Sequence, residues 1–232
     1  MNDDMDNGPA DTRIMGIVHS ALRRDLCRAR MVLEVGPLDE ERRTALAGHL
    51  AWMMDFLHRH HTAEDEGLYP LVRGRDASIG PLLDRMDAEH GAVHPAMAGV
   101  RSGAAALGER GDQAAALAAV IALEDVLLPH LDHEERELMP LVSRILSNAD
   151  WQRLDQERNL AGKSPRELAK EGHWIIDNLD EEGRHVVVGL VPPLKRFVLV
   201  HLLAGPYRRL RRTLWAGTPA EAVPSLSLEA SC

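Results

Sequence analysis

The fold is decided by two stretches of sequence, HHTAEDEGLYPLV at residues 60–72 and HLDHEERELMPLV at residues 130–142. They align at an offset of 70 residues. The first histidine, the glutamate four residues later and the final Pro-Leu-Val of one stretch fall on those of the other. A repeat that keeps apolar and polar positions alike predicts a duplicated helical hairpin, with halves related by a pseudo-two-fold axis.

Around this repeat, four long helical segments are expected between Asp11 and Leu146. Apolar residues recur there at steps of three and four, which is the period of an amphipathic helix. The breaks between segments fall at glycine-containing pairs: Gly36-Pro37, Gly80-Pro81 and Gly111-Asp112. Short connections between long helices favour antiparallel neighbours. We therefore expect an all-α fold, an antiparallel up-down four-helix bundle with a short helical C-terminal extension.

Composition divides the chain into four parts. Residues 1–10 are expected to be disordered, 11–147 to form the bundle, 148–216 to form a helical extension, and 217–232 to form a flexible tail. Between residues 186 and 215 the extension has six Lys and Arg residues and no acidic residue. We expect it to pack on its own bundle; the alternatives are a homodimer contact or a peripheral partner through 186–215.

Composition also excludes several classes of function. A net charge of −9 argues against nucleic-acid binding, which relies on a positive surface. Two cysteines in 232 residues exclude a disulfide scaffold and a cysteine-built zinc module. The apolar run in the extension is interrupted by Pro192-Pro193 and Lys195-Arg196, so no membrane span is expected. The polar, acidic N-terminal residues predict no signal peptide and hence a cytoplasmic location.

Polar residues that fall on the apolar stripes are the candidate functional residues, since stripes face the centre of a bundle. They are His19 on the first segment, His60 and Glu64 on the second, His90 and His94 on the third, and His130 and Glu134 on the fourth. Side chains four residues apart on a helix have Cβ atoms about 5–6 Å apart, so each such pair can converge on one point.

Seven inward polar residues need a partner, because buried charges and unsatisfied polar groups each cost several kcal/mol. Metal ions remove that cost. Five imidazoles and two carboxylates are too many ligands for one tetrahedral zinc ion, and too rich in nitrogen for calcium or magnesium. They suit two transition-metal ions with terminal histidines and bridging carboxylates.

Two positions in this ligand set have competitors next to them. His61 lies three residues before Glu64 and could replace His60, while Glu135 competes with Glu134. Two other residues near the stripes are less decisive. Tyr69 is interpreted as a packing residue near a helix end, although it could contact the site; Arg23 is as readily a solvated charge as the partner of a carboxylate.

The pattern His19, His60-x-x-x-Glu64, His90-x-x-x-His94 and His130 followed by Glu134 or Glu135 resembles the haemerythrin family, specifically the HHE cation-binding domains of bacterial haemerythrin-like proteins. The resemblance covers roughly residues 11–146. It implies a four-helix bundle that holds two iron ions as an oxo- or hydroxo-bridged centre. The five histidines would be terminal ligands, and Glu64 with one fourth-helix carboxylate would be the bridges. Invertebrate haemerythrins favour the position of Glu135, whereas the HHE branch and the internal repeat favour Glu134, which we adopt.

The ligands are divided unequally, since the third segment has two histidines and the first has only His19. One metal then receives three histidines and the other two, which leaves an open position for a small ligand. We expect a non-haem di-iron protein that binds dioxygen, nitric oxide or peroxide for sensing, storage or stress protection. The alternatives are an enzyme that consumes peroxide or nitric oxide, and a regulatory module that acts through a protein partner.

Overall fold

A computed structural model of the chain describes residues 8–191 and 203–226, and every regular element in those ranges is helical. Its ten α-helices in the described ranges are α1 (Arg13–Glu34), α2 (Glu40–Ala63), α3 (Tyr69–Arg75), α4 (Gly80–Arg110), α5 (Gln113–His133), α6 (Met139–Ile145), α7 (Asn148–Asp155), α8 (Pro165–Ile175), α9 (Glu181–Gly189) and α10 (Ala204–Trp215). π-Helical turns at Glu64–Leu68 and Glu134–Leu138 join α2 to α3 and α5 to α6, and a third follows α7 at Gln156–Leu160. The all-helical fold expected from the sequence is confirmed.

Local sequence explains where the long helices begin and end. The carboxylate of Asp39 accepts a hydrogen bond from the backbone N–H of Arg42 at the start of α2, and Asp112 caps α5 through the N–H of Ala115. Gly111 ends α4 in the left-handed conformation, with φ of 69°, which glycine adopts without strain. The four segments therefore occupy the expected stretches.

The four segments pack side by side and bury two apolar clusters. α4 contacts both α2 and α5, and α1 contacts α5. The larger cluster includes Leu22, Leu57 and Leu127, and the smaller one includes Leu68 and Leu138. On every segment the candidate polar residues lie between residues of the two clusters, with the exception of His94, which is exposed. The apolar packing thus encloses a layer of polar side chains.

Two of the π-helical turns begin at the two glutamates of the repeat. In each, the backbone N–H that follows the turn donates to a carbonyl five residues earlier: Tyr69 to Glu64, and Met139 to Glu134. A proline comes next in both cases, and it has no N–H to give the usual α-helical bond. π-Helical turns inside α-helices are frequent at functional sites, and here both mark the polar layer.

The C-terminal extension folds back on the long helices. Trp174 of α8 and Trp215 of α10 are fully buried and belong to the larger apolar cluster. Packing on its own bundle, the arrangement preferred from the sequence, is what the described part of the extension adopts. Pro192, Pro193, Lys195, Arg196 and His201 lie outside the described residues.

A buried ionic network holds the extension against α1. The carboxylate of Asp25 accepts hydrogen bonds from His49, Arg24, Arg28 and the indole N–H of Trp174, at 2.7 to 3.0 Å. Burial alone would raise the pKa of Asp25, but the charge of Arg24 and the bond from His49 hold that pKa well below its usual value. The side chains of α1 therefore form a buried charged surface on which the extension docks.

Near both ends of the described region, residues that the composition assigns to a disordered or flexible segment are buried and hydrogen-bonded. Ala10, within the expected disordered segment, is buried and donates its N–H to the carbonyls of Ser143 and Leu146. Ala220, within the expected tail, is fully buried, because Arg28 binds its carbonyl. These backbone contacts have no periodic signal in the sequence.

By length and composition alone, Gln113–Ile145 is apolar enough to cross a membrane, and it is the one such segment among the described residues. The helical core of a globular protein meets the same criterion. This segment places His130 and Glu134 in the polar layer, and Leu123, Leu127, Leu131 and Leu138 in the two apolar clusters. One side of the segment is therefore part of the core of the helical fold, and 39% of its most apolar window is buried.

Replacing Arg28 with alanine is expected to destabilise the protein far more than replacing Arg30, two residues along the same helix. Arg28 is fully buried and binds Asp25, Asp177 and two backbone carbonyls of the extension. Its loss leaves buried charge uncompensated, which costs about 3–5 kcal/mol. Arg30 is 42% exposed and pairs with Glu34, so its loss costs below about 1 kcal/mol. Urea unfolding of the two variants measures the difference, and equal losses would contradict a docking role for the network.

Candidate metal centre

The polar layer contains two adjoining groups of side chains that are suited to metal ions. One group is His61, His90 and His130; the other is His19, His60, Glu64 and Glu134. Within each group, one ligand atom per residue lies within 4.8 Å of all the others. Six of the seven side chains are almost completely buried, and His60 is slightly exposed. The arrangement fits two neighbouring ions.

Six of the seven residues expected from the sequence are brought together, and His94 is not. His94 is exposed, because Val93 takes the inward position on that turn of α4, and its ring centroid lies 6.3 Å from that of His61. His61 takes the third histidine position instead, with its ring stacked on that of His90 at 4.0 Å. Both His60 and His61 belong to the site, one in each group.

Three of the five imidazoles are each oriented by a different carboxylate outside the two groups. The Nδ1 atoms lie at hydrogen-bond distance from carboxylate oxygens: His19 from Glu135 at 2.9 Å, His90 from Asp65 at 2.7 Å, and His130 from Glu89 at 3.1 Å. An imidazole that donates Nδ1–H to a carboxylate presents its Nε2 lone pair on the other side. Three lone pairs are thus aimed into the layer.

Two of the imidazole nitrogens lie close enough together to share a cation. Nε2 of His90 lies 3.1 Å from Nε2 of His130, and the Nδ1 atoms of both rings are engaged with carboxylates. Burial and the proximity of His90 lower the pKa of His130 to about 2, so the ring of His130 stays neutral near pH 7. Its Nε2 lone pair is therefore free to ligate a metal ion at this point.

The two glutamates are buried without hydrogen bonds. Among described residues, eight buried side-chain polar atoms have no hydrogen-bond partner, and six of them belong to His61, Glu64 and Glu134. Burial and the neighbouring Glu134 raise the pKa of Glu64 well above its usual value, and burial with the charge of Glu135 raises the pKa of Glu134 to about 8. Buried groups of this kind normally have partners. The donor set therefore fits metal ions, with nitrogen and carboxylate ligands.

Glu64 lies between the two groups of ligands. Its Oε1 atom is 3.1 Å from Nε2 of His60, and its Oε2 atom is 3.6 Å from Nε2 of His90. Glu134 approaches the second group, with Oε2 at 3.4 Å from Nε2 of His19. A carboxylate with one oxygen toward each group is placed to bridge two ions.

The sequence did not reveal all of the outer residues. Asp65 and Glu89 were not singled out, although Asp65 follows Glu64 just as Glu135 follows Glu134, and the repeat offset could have found it. Glu135 orients His19 and also binds Arg23 at 2.7 Å. These contacts leave Glu134 as the inward carboxylate of the fourth segment.

Arg23 and Tyr69 both contact the surroundings of the site. Arg23 is buried and bridges Glu135 and Asp132, so it is a paired charge and not a solvated one. The hydroxyl of Tyr69 lies 3.4 Å from Nε2 of His90, and the two rings stack with centroids 5.6 Å apart. Tyr69 therefore both packs at the end of the smaller cluster and reaches the group of three histidines.

A family model described as Hemerythrin HHE cation binding domain matches residues 10–142, which is more than half of the chain. The match spans all seven residues of the two groups and ends within α6, so that α7 to α10 lie outside it. No curated protein and no solved structure matches the chain.

Replacing His61 with alanine is expected to lower the metal content, whereas replacing His94 is not. The first change removes one of three nitrogen donors from a buried group, and the second removes an exposed ring. Metal content per chain after identical loading and desalting compares the two variants, and we expect His61→Ala to lose about one ion per chain. Loss of metal from His94→Ala with full retention by His61→Ala would reverse the assignment.

The affinity for divalent metal is expected to rise with pH up to about 8. Because the pKa of Glu134 is about 8 in the metal-free fold, this carboxyl group carries a proton at neutral pH that the metal must displace. Displacing this proton makes the apparent affinity increase at least about tenfold per pH unit below that pKa, because Glu64 also has a raised pKa and can hold a further proton. Titration of the metal-free chain with Co²⁺ at a series of pH values measures the slope; an affinity independent of pH between about 6 and 8 would contradict the shift.

Proposed function

The chain belongs to the haemerythrin HHE cation-binding family, and on that premise we propose that it is a non-haem di-iron protein that binds dioxygen, nitric oxide or peroxide. The ligand would bind at an open coordination position, for sensing, storage or protection from oxidative or nitrosative stress. The up-down order of the four helical segments and a cytoplasmic location are parts of the same proposal.

The unequal division of histidines is the observation that carries this proposal. Three histidines form one group and only two the other, in which Glu64 and Glu134 complete the set. The sequence led to the same ratio, but with His94 in the place that His61 occupies. An ion held by His19 and His60 would have fewer protein nitrogens than its neighbour. If Glu64 and Glu134 are shared between the two ions, that ion would also have fewer ligands of its own, and an external ligand would have room there.

The protein side chains define what the centre favours. Iron, when bound, supplies redox-dependent binding of small ligands such as dioxygen. Five imidazoles and two carboxylates form a set richer in nitrogen than the carboxylate-dominated di-iron sites of ferritin-like proteins, which favours reversible binding over strongly oxidising chemistry. Copper and zinc have higher intrinsic affinities for such a site, so the choice of iron rests on the family and on supply.

The polar layer also controls access of water and protons. The two apolar clusters on either side restrict the access of bulk water to the layer, and only the edge at His60 is partly exposed. The outer carboxylates of Asp65, Glu89 and Glu135 hold the imidazole tautomers without entering the layer themselves. Such fixed geometry favours binding of a ligand without large rearrangement of the chain.

A regulatory module is a second candidate, because α1 connects the site to the extension. His19 lies in the metal site, and Arg24 and Arg28 of the same helix bind the carbonyls of the extension. A change of metal ligation at His19 can therefore alter the surface on which the extension docks, because both lie on α1. Limited proteolysis of the extension with and without metal tests this role: a regulatory coupling predicts that cleavage of the extension changes more than the global stability measured by urea unfolding of the same samples.

Anaerobic loading with ferrous iron is expected to give about two iron ions per chain. Exposure to dioxygen should then produce a visible charge-transfer band, and nitric oxide should change the spectrum. A stable, reversible adduct supports ligand binding, whereas steady consumption of peroxide or nitric oxide supports the enzymatic alternative. One zinc ion, or no metal and no band after iron loading, would contradict the di-iron proposal.

Matched glutamate variants make this experiment specific. Glu134→Gln changes a fully buried carboxylate of the site, and Glu137→Gln changes an exposed one three residues later that pairs with Arg85. We expect the first variant to lose iron and the visible band, and the second to keep both. Equal spectra from the two variants would remove Glu134 from the ligand set.

A further inference from the structure

A cavity of about 500 Å³ lies between the metal site and the C-terminal extension. His60 and Glu64 line its inner end, and residues of α1 and α2 line its sides. Its outer wall is made by the extension, including Trp151, Leu154, Leu160, Leu168, Val187 and Leu190. All of these outer residues follow residue 142, where the family match ends. The outer wall of the cavity is thus formed by residues that lie outside the HHE region.

His60 connects the cavity to the metal site. Its side chain is 10% exposed, whereas those of His19, His130 and Glu134 are fully buried. His60 also belongs to the group with only two histidines. The exposed edge of the ligand set therefore lies on the side where an external ligand has room.

The cavity is much larger than a diatomic ligand needs. A water molecule occupies about 30 Å³ of liquid volume, and dioxygen is of similar size. Sites for small organic molecules have volumes of about 300–1,000 Å³ and mostly apolar walls. The volume of about 500 Å³ lies in that range, and aliphatic and aromatic side chains dominate its lining.

The cations that line the cavity are already in contact with carboxylates of the protein. Arg59 and Lys163 share Glu171, and Arg158 binds Glu66. Asp155 shares its carboxylate with the side chain of Asn159, and burial raises its pKa. These polar groups are engaged within the wall, so the aliphatic and aromatic side chains make up most of the surface that faces the cavity.

We propose that this cavity binds a neutral, largely apolar organic molecule with one oxygen function, whose oxygen end faces His60 and Glu64 and whose apolar body lies against the extension. The position of the oxygen end rests on the proposed metal site; the apolar binding does not. The metal site would then take an organic ligand from the side of the extension, besides the small ligands proposed above.

Binding of N-phenyl-1-naphthylamine, a neutral apolar fluorophore, to the full chain tests the cavity. We expect saturable binding of one probe per chain, with and without bound metal. Primary alkanols from 1-hexanol to 1-dodecanol should displace the probe, with affinity increasing about fourfold per added methylene until the cavity is filled. Absence of saturable binding, or displacement that is independent of chain length, would overturn the proposal.

Two variants with matched exposure locate the binding. Leu160 lines the cavity and is 37% exposed, while Ile121 lies on α5 away from it and is 36% exposed. Leu160→Glu places a charge in the apolar wall and should weaken probe binding at least about tenfold, whereas Ile121→Glu should not change it. Thermal unfolding checks that both variants fold. Equal binding by the two folded variants would place the probe elsewhere and overturn the proposal.

The orientation of the ligand has a separate readout. With Co²⁺ in the metal site, saturation with 1-decanol should change the visible spectrum, because the hydroxyl end reaches the ion held near His60. An unchanged spectrum at saturation would overturn the orientation. If the chain binds iron but not the probe, the cavity proposal fails and the di-iron proposal stands. If it binds the probe but no metal, the di-iron proposal fails together with the orientation, and the apolar cavity site stands.

Discussion

Burial of imidazole and carboxylate groups without hydrogen-bond partners is the constraint on which the rest of the structure depends. The oxygens of Glu64 and Glu134 and both ring nitrogens of His61 are enclosed between two apolar clusters. Each such group costs several kcal/mol in the absence of a partner. The apolar helices can enclose the layer at low cost only when a cation neutralises it, so metal binding and folding are coupled.

The internal repeat builds this layer from two similar halves, and a few residues make the halves unequal. Asp65 and Glu135 follow the two inward glutamates and orient His90 and His19, so the outer contacts obey the pseudo-two-fold axis. His61 breaks the symmetry, because the corresponding position of the fourth segment is a leucine, Leu131. One group of ligands therefore gains a third nitrogen. The two groups of candidate ligands therefore differ in histidine content at a position where the repeats differ by one residue.

Sequence periodicity was sufficient for the helices and for most of the site, and it was insufficient where adjacent residues compete. His60 and His61 are separated by about 100° around the helix. Each belongs to a different group of candidate ligands, so the prediction that selected His60 in place of His61 left out a histidine that the structure places in the other group. The spacing of four residues between His90 and His94 placed both on one face of the helix. In the structure Val93 is the buried residue on that turn, and His94 is exposed. Asp65 and Glu89 bind imidazoles on other segments. Their roles depend on packing between helices, which periodicity within one helix does not encode.

The contacts of the extension were the least predictable from the sequence, because many of them are made to charged side chains of α1 and α2 and not to an apolar stripe alone. Glu171 of α8 binds Arg59 of α2 and Lys163 at the cavity, and three residues later Trp174 binds Asp25 of α1. One short helix therefore fixes both the docking of the extension and the outer wall of the cavity beside His60. Any movement of α8 changes the volume of the cavity next to the group that has only two histidines. Stability of the extension and access to the metal centre are for that reason two consequences of the same contacts.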